Sequence, residues 1–245
     1  MFTLGHLIWL GILALLIALA ILLIRKFRIP QPVVQKTVLW LLIPLKLFHL
    51  SLSMKPSPDG GLILDQTQLS FHLCSIMIYS VILINLVKNE KFVRTVKSFM
   101  VPAMLIGAAM SLLIPTEGVD PAVPRVWQYM LIHAVLVFYG LYLMLIERVD
   151  LSLRAYVSNL KILVGIVAVG FLMNSVLEPY ATNFLFLRKP PMEGLPILNL
   201  DHGWYVYFLT LAVIACLLIF LVHLPFVIRE AKEKRAARKE KGEQV

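Results

Sequence analysis

The chain of 245 residues contains two cysteines and six histidines, and one of each stands where chemistry is conceivable. Cys74 lies in LSFHLCSIMIYSVILINL (residues 69–86) and His133 in YMLIHAVLVFYG (residues 129–140). A thiol and an imidazole brought together make a nucleophile and its base: the imidazole takes the proton and the sulfur attacks a carbonyl. Each residue alone has a plainer reading, because cysteine packs well as a small hydrophobe and a lone histidine in an apolar helix can simply bond a carbonyl. Cys216, among the Leu and Ile of LAVIACLLIF, takes that packing reading and sits too deep to bridge Cys74. Lys46, His49 and Asn174 are further polar residues in apolar surroundings. His72 stands two residues from Cys74, about 200° around a regular helix, so it is expected at a helix interface and not in the Cys74 site.

The elements that must position these residues are membrane helices. Hydrophobic residues make up 60% of the chain and charged ones 15%, with a mean hydropathy of +0.84, too apolar for a fold with a water-facing surface. A bilayer core about 30 Å thick takes roughly 20 apolar helical residues. Runs of that order occur at residues 5–24, 34–52, 70–87, 98–115, 126–146, 157–176 and 204–227. They are continuous, not alternating, so the chain is expected to be an all-α polytopic membrane bundle of seven transmembrane helices. The first run is no cleavable leader, because Arg25, Lys26 and Arg28 follow it instead of preceding it.

Orientation follows from the basic residues. Arg25, Lys26, Arg28 and Lys36, then Lys88, Lys91, Arg94 and Lys97, then Arg148, Arg154 and Lys161 fall at the first, third and fifth connections. The other connections hold Lys55, Arg125, Arg188 and Lys189. That alternation puts the N-terminus outside and the C-terminus in the cytoplasm of a multi-pass cell-membrane protein. Residues 1–228 then form the seven-helix domain, and 229–245, with Arg229, Lys232, Lys234, Arg235, Arg238, Lys239 and Lys241, a basic cytoplasmic tail. Counting inward from the outer ends places Cys74 at about 6 Å, His133 at about 10 Å, His49 at about 5 Å, Lys46 at about 9 Å and Asn174 at about 3 Å. Four helices thus bring polar side chains to one layer near the ester level of the outer leaflet. Polar groups at such depth tend to face the bundle interior and to carry function.

Several function classes fall away. The net charge of +9 is spread over loops and a tail in which Glu230, Glu233 and Glu240 alternate with the bases, so it suits anionic headgroups and not nucleic acid. A metal or haem centre built from His49, His133 and Cys74 would have Lys46 one turn away repelling the cation, so no metal and no cofactor is expected. A retinal protein needs a lysine within its last helix, and residues 204–227 have none. A small-solute or lipid transporter is the alternative, although no Gly/Pro-broken helix pair marks a central site. The longest segment outside the expected helices, residues 177–203, carries Pro179, Pro190, Pro191 and Pro196 and is long enough to fold back over the outer mouth.

The runs FHLCSI (residues 71–76), YMLIHAVLV (129–137), Asn174, NFLFLRKPP (183–191), WYVY (204–207) and HLPF (223–226) resemble, in order and spacing, the YwaF-type integral membrane family. That family is the bacterial relative of transmembrane protein 164. The resemblance covers most of the chain, with two departures: Phe184 stands where the family usually has tyrosine, and Ser70 where proline is common. It implies a multi-helix membrane fold and, from the animal relative, a phospholipid acyltransferase whose cysteine and histidine correspond to Cys74 and His133. Acyl transfer would then run through a thioester on Cys74, with His133 as base and then acid. Membrane phospholipids would be the partners, Lys46, Arg188 or Lys189 pairing the phosphate and His49 lying on the Lys46 face. Asn174, or free N–H groups at the start of the third helix, would meet the oxyanion.

Overall fold

A computed structural model describes residues 3–57, 59–192 and 194–240, with side chains to 236. The tail residue Lys241 and the side chains of Arg238 and Lys239 lie outside that description. Seven helices occur in the described residues: α1 Leu4–Phe27, α2 Gln31–Leu52, α3 Leu73–Leu86, α4 Glu90–Leu113, α5 Pro124–Glu147, α6 Leu153–Val176 and α7 Trp204–Glu240. Six have the length and apolar character to cross a membrane; α3, with 14 residues, is shorter. It covers about 21 Å at 1.5 Å per residue.

Side-chain caps start several helices as their sequences require. Thr3 accepts from the His6 N–H, Asn89 from Phe92 and Ser152 from Ala155, each satisfying a donor that has no intrahelical partner. Between α2 and α3 a short antiparallel hairpin pairs β1, Met54–Pro56, with β2, Leu62–Leu64. Lys55 pairs with Asp65 just beyond it. Partial burial opposes ionisation of the Asp65 carboxyl, but hydrogen bonds from Lys55 and Thr67 prevail and hold it below its ordinary value.

Helices α4 and α5 are the buried centre. α5 packs against α1, α2, α3 and α4, around a core that includes Leu42, Met77, Met100, Met104, Leu136 and Tyr139. The outer helices turn apolar side chains outward, Leu22 at 61% exposure being one, as lipid-facing surfaces do. Both central helices contain a π-helical stretch, Met104–Ala108 in α4 and Leu143–Glu147 in α5. The first lies where α5 comes closest: a Cβ on Gly140 would sit 3.1 Å from the Met104 Cβ. Glycine is what permits that approach.

Several sequence expectations shift here. α4 begins at Glu90 instead of residue 98, so Lys91, Arg94 and Lys97 are helical and not loop cations. Lys97 is only 3% exposed and pairs with Glu147 of α5 at 2.7 Å. Near it Ser98 donates to the Asp150 carbonyl, and Asn159 of α6 donates to the Ser98 carbonyl and to His223 Nε2 of α7. His223 Nδ1 donates to the Leu151 carbonyl, joining four helices at this end. α7 continues unbroken from the apolar run into the basic tail as far as Glu240.

Replacing one member of a buried ion pair strands the other charge, at a cost of about 3–5 kcal/mol, whereas replacing both by apolar groups is often near neutral. Lys97→Met is therefore expected to lower the thermal unfolding midpoint in detergent well below that of Lys97→Met/Glu147→Leu. A double variant as unstable as the single one would show that the pair itself, and not the stranded carboxylate, governs packing of α4 on α5.

Candidate functional site

Cys74 occupies the first turn of α3, beside the π-stretch of α4. A Cβ on Gly107 would lie 3.8 Å from its sulfur, so the small residue makes room for the thiol. Such stretches recur at functional sites because the displaced turn re-aims side chains. Here the turn brings Ser111 Oγ to 3.9 Å from Cys74 Sγ. The Ser111 hydroxyl donates to the Gly107 carbonyl at 2.9 Å. Its oxygen is thus left to accept from the thiol.

Tyr129 links this corner to α5. Its hydroxyl donates to the Ser111 carbonyl at 3.1 Å, and its own carbonyl accepts from His133 Nδ1 at 2.7 Å. The two rings lie 4.3 Å apart, centre to centre. Because a carbonyl can only accept, the neutral imidazole carries its proton on Nδ1 and keeps a lone pair on Nε2. That nitrogen makes no hydrogen bond among the described residues. Cys74 and His133 therefore belong to one cluster, joined through Ser111 and Tyr129, with no direct thiol–imidazole hydrogen bond.

A second group of polar side chains adjoins them. Lys46 of α2, at 7% exposure, donates to Ser75 Oγ of α3 at 3.3 Å. His49, one turn along, lies within electrostatic range of Lys46, His72, His133 and Arg125 and within hydrogen-bond reach of Gln128. His72 is not on the helix that the sequence suggests. α3 starts at Leu73, so His72 is its N-cap in extended conformation, and the 200° argument that separates it from the site does not apply. Arg125 donates to the Leu52 carbonyl and lies 3.8 Å from Glu117.

The segment after α6 folds back over this region, as its length suggests. Phe184 packs on Phe71 and His72 at 5.2 and 5.5 Å, and Phe186 on His72 at 5.4 Å. Leu185 and Phe186 both have positive φ, 57° and 56°, a costly conformation for large side chains that persists only where surroundings enforce it. The enforcing bonds are visible: Trp204 donates to the Leu187 carbonyl, and the Tyr207 hydroxyl to the Phe186 carbonyl.

Asn174 belongs to this anchorage. Its amide donates to the Phe184 carbonyl at 3.1 Å and accepts from the Phe184 N–H at 2.8 Å. The amide oxygen and one of the two amide N–H groups are thus spent on the loop, so Asn174 clamps its backbone. Arg188 and Lys189 are tied by their backbones to Asn183, and neither side chain pairs with a carboxylate among the described residues. A recess of about 400 Å³ opens near the start of α1, with Thr3, His6, Thr116 and Met192 in its wall. Cys74 and His133 do not line it.

Sequence reasoning passed over Ser75, Ser111, Gln128 and Tyr129, four polar residues that complete the cluster. Tyr129 could have been found, since it precedes His133 by four residues and so shares its helix face. Ser111 could not, because its facing depends on the π-stretch.

Comparison with known families finds that the model of the TMEM164 family matches residues 1–223. No curated protein and no solved structure matches the chain.

Loss of a buried hydrogen-bonding group costs about 1–3 kcal/mol for each partner left unsatisfied. Asn174→Ala strands both the N–H and the carbonyl of Phe184. Amide exchange at residues 183–187 is expected to accelerate at least tenfold while exchange in the middle of α5 stays slow. Unchanged protection at Phe184 would mean that Trp204 and Tyr207 alone hold the segment.

Proposed function

Because the chain belongs to the TMEM164 family, we propose that it is a membrane acyltransferase that moves phospholipid acyl chains through a thioester on Cys74. The observation that carries this reading is the tautomer of His133: Nδ1–H is spent on the Tyr129 carbonyl, leaving in the Cys74–Ser111–Tyr129 cluster an Nε2 lone pair with no hydrogen-bond partner among the described residues. A nucleophile's base needs that form.

The reaction balances in two halves. His133 Nε2 takes the Cys74 proton, the sulfur bonds to the ester carbon, and the ester C–O bond breaks as His133 returns the proton to the departing lysolipid oxygen. An acceptor hydroxyl, amine or water then gives its proton to His133 and attacks the thioester, and Cys74 leaves as the thiol. Ser111, freed from Gly107 by rotation of its hydroxyl, would donate to the thiolate. Backbone N–H groups in the first turn of α3, which has no side-chain cap bond, would meet the oxyanion. The lipid's phosphate would lie toward Lys46 and His49. Arg188 and Lys189, at the edge of the folded-back segment, would contact headgroups at the surface.

The orientation proposed with this chemistry puts the N-terminus outside and the tail of residues 229–245 in the cytoplasm of a cell-membrane protein. A reporter fused after Val245 is expected inside, and a tag between Asp59 and Asp65 is expected to react with an impermeant reagent on intact cells. A cytoplasmic hairpin would move the whole cluster to the other leaflet.

The chemistry is tested with purified protein and a phospholipid carrying a labelled acyl chain. A hydroxylamine-labile label is expected on Cys74, retained by Cys216→Ala and abolished by Cys74→Ala. His133→Ala is expected to slow acylation by about 10²–10⁴-fold, the range for loss of a positioned base. Wild-type transfer by Cys74→Ala would make the cysteine a packing residue and put the transporter reading first.

A further inference from the structure

Among the described residues two lysines are well buried, and their surroundings differ. Lys97 is 3% exposed and has the Glu147 carboxylate at 2.7 Å. Lys46 is 7% exposed, and its polar partner is the neutral Ser75 hydroxyl at 3.3 Å. No carboxylate lies within ion-pair distance of Lys46 among the described residues. The charged groups that act on neighbouring His49 are Lys46 and Arg125, and those that act on His72 are Lys46 and His49, all basic. Burying an ammonium without a counter-charge is costly, and proteins ordinarily pair such a group. Lys46 is not escaping to the surface either, since protein covers it and its Nζ is turned toward α3.

We infer that Lys46, His49 and His72 form a subsite for the phosphate of a lipid, which supplies the missing negative charge. Lys46 contributes the ammonium, Ser75 an O–H donor and His72 a ring N–H donor, while His49, already hydrogen-bonded to the Gln68 backbone and to Gln128, borders the ammonium one turn along α2. Phe184 packs on Phe71 and on His72, and Phe186 packs on His72. Aromatic surface thus adjoins the donors, which fits a phosphate carrying glycerol and an acyl chain. His72 is the link, sharing the electrostatic field of Lys46 and touching both rings of the folded-back segment.

This subsite rests on the phospholipid acyltransferase reading and names how the substrate is held: by its phosphate between α2 and α3, with the ester toward Cys74. Its test measures binding and not turnover. Full-length Cys74→Ala protein in nanodiscs of neutral lipid is titrated with oleoyl-lysophosphatidic acid, with monooleoylglycerol, which has the same chain and ester but no phosphate, and with inorganic phosphate. The lysophosphatidic acid is expected to bind about tenfold or more tightly than monooleoylglycerol, the range for a charge-assisted hydrogen bond. Lys46→Gln should abolish that preference and leave monooleoylglycerol binding unchanged, Lys46→Arg should keep most of it, and His72→Gln should reduce it. Equal binding of the two lipids, or a preference that survives Lys46→Gln, overturns the subsite. Inorganic phosphate binding as tightly as the lysolipid overturns its assignment to a lipid. Because Cys74 is absent throughout, these outcomes are independent of whether the wild-type protein forms a thioester.

Discussion

Tyr129 makes contacts in three directions, and the geometry of the Cys74 end follows from their being made at once. Its hydroxyl holds the Ser111 carbonyl, its carbonyl holds His133 Nδ1, and its ring lies over the imidazole. The first contact ties the end of α4 to α5. The second selects the tautomer, and the third restrains the plane of the ring. Without water in the surroundings, a buried carbonyl and a buried imidazole have few other partners, so these bonds stand in place of solvent and leave little freedom to the cluster.

The cluster around Lys46 and Cys74 and the cluster at the opposite end of the bundle are built on different terms. Around Lys97 the charges are paired and the donors are used: ammonium to carboxylate, serine and asparagine to carbonyl and imidazole, and His223 between Asn159 and Leu151, while Glu147 Oε2 and Asn159 Oδ1 accept no hydrogen bond among the described residues. That end joins helices. Around Lys46 the groups are donors and bases, the loop above is held in a strained conformation, and the helix beside it starts without a side-chain cap. The bundle thus pairs the buried lysine at one end with a carboxylate and leaves the one at the other end without a carboxylate among the described residues.

How much of this was legible in the sequence depends on the scale of the pattern. The long apolar runs announced helices because length and hydropathy are sums over many residues, and six of them are long enough to span. The short α3 starts three residues later than its expected run because Phe71 prolongs the apolar stretch while Ser70 to His72 lie outside the helix. Lys97 and Lys46 look alike in sequence, each a lysine beside an apolar stretch. Only the fold shows that one finds Glu147, fifty residues away, while the other meets Ser75. Asn174 suggested a polar function at the right depth, but the backbone it clamps belongs to a loop whose course no periodicity encodes.

The π-stretch of α4 has a consequence for how this protein can vary. A π-turn accommodates one residue beyond the regular repeat, so Met104–Ala108 acts as a phase shifter between the buried first half of α4 and the turn that carries Ser111. Were the same residues to wind into an unbroken α-helix, everything after them would rotate by about 100°. Ser111 would then leave Cys74, and its carbonyl would leave Tyr129. Loss of one residue within the stretch removes the extra residue and returns the rest of α4 to the same phase, so this is the place in α4 where a one-residue deletion spares the register of the thiol and the imidazole.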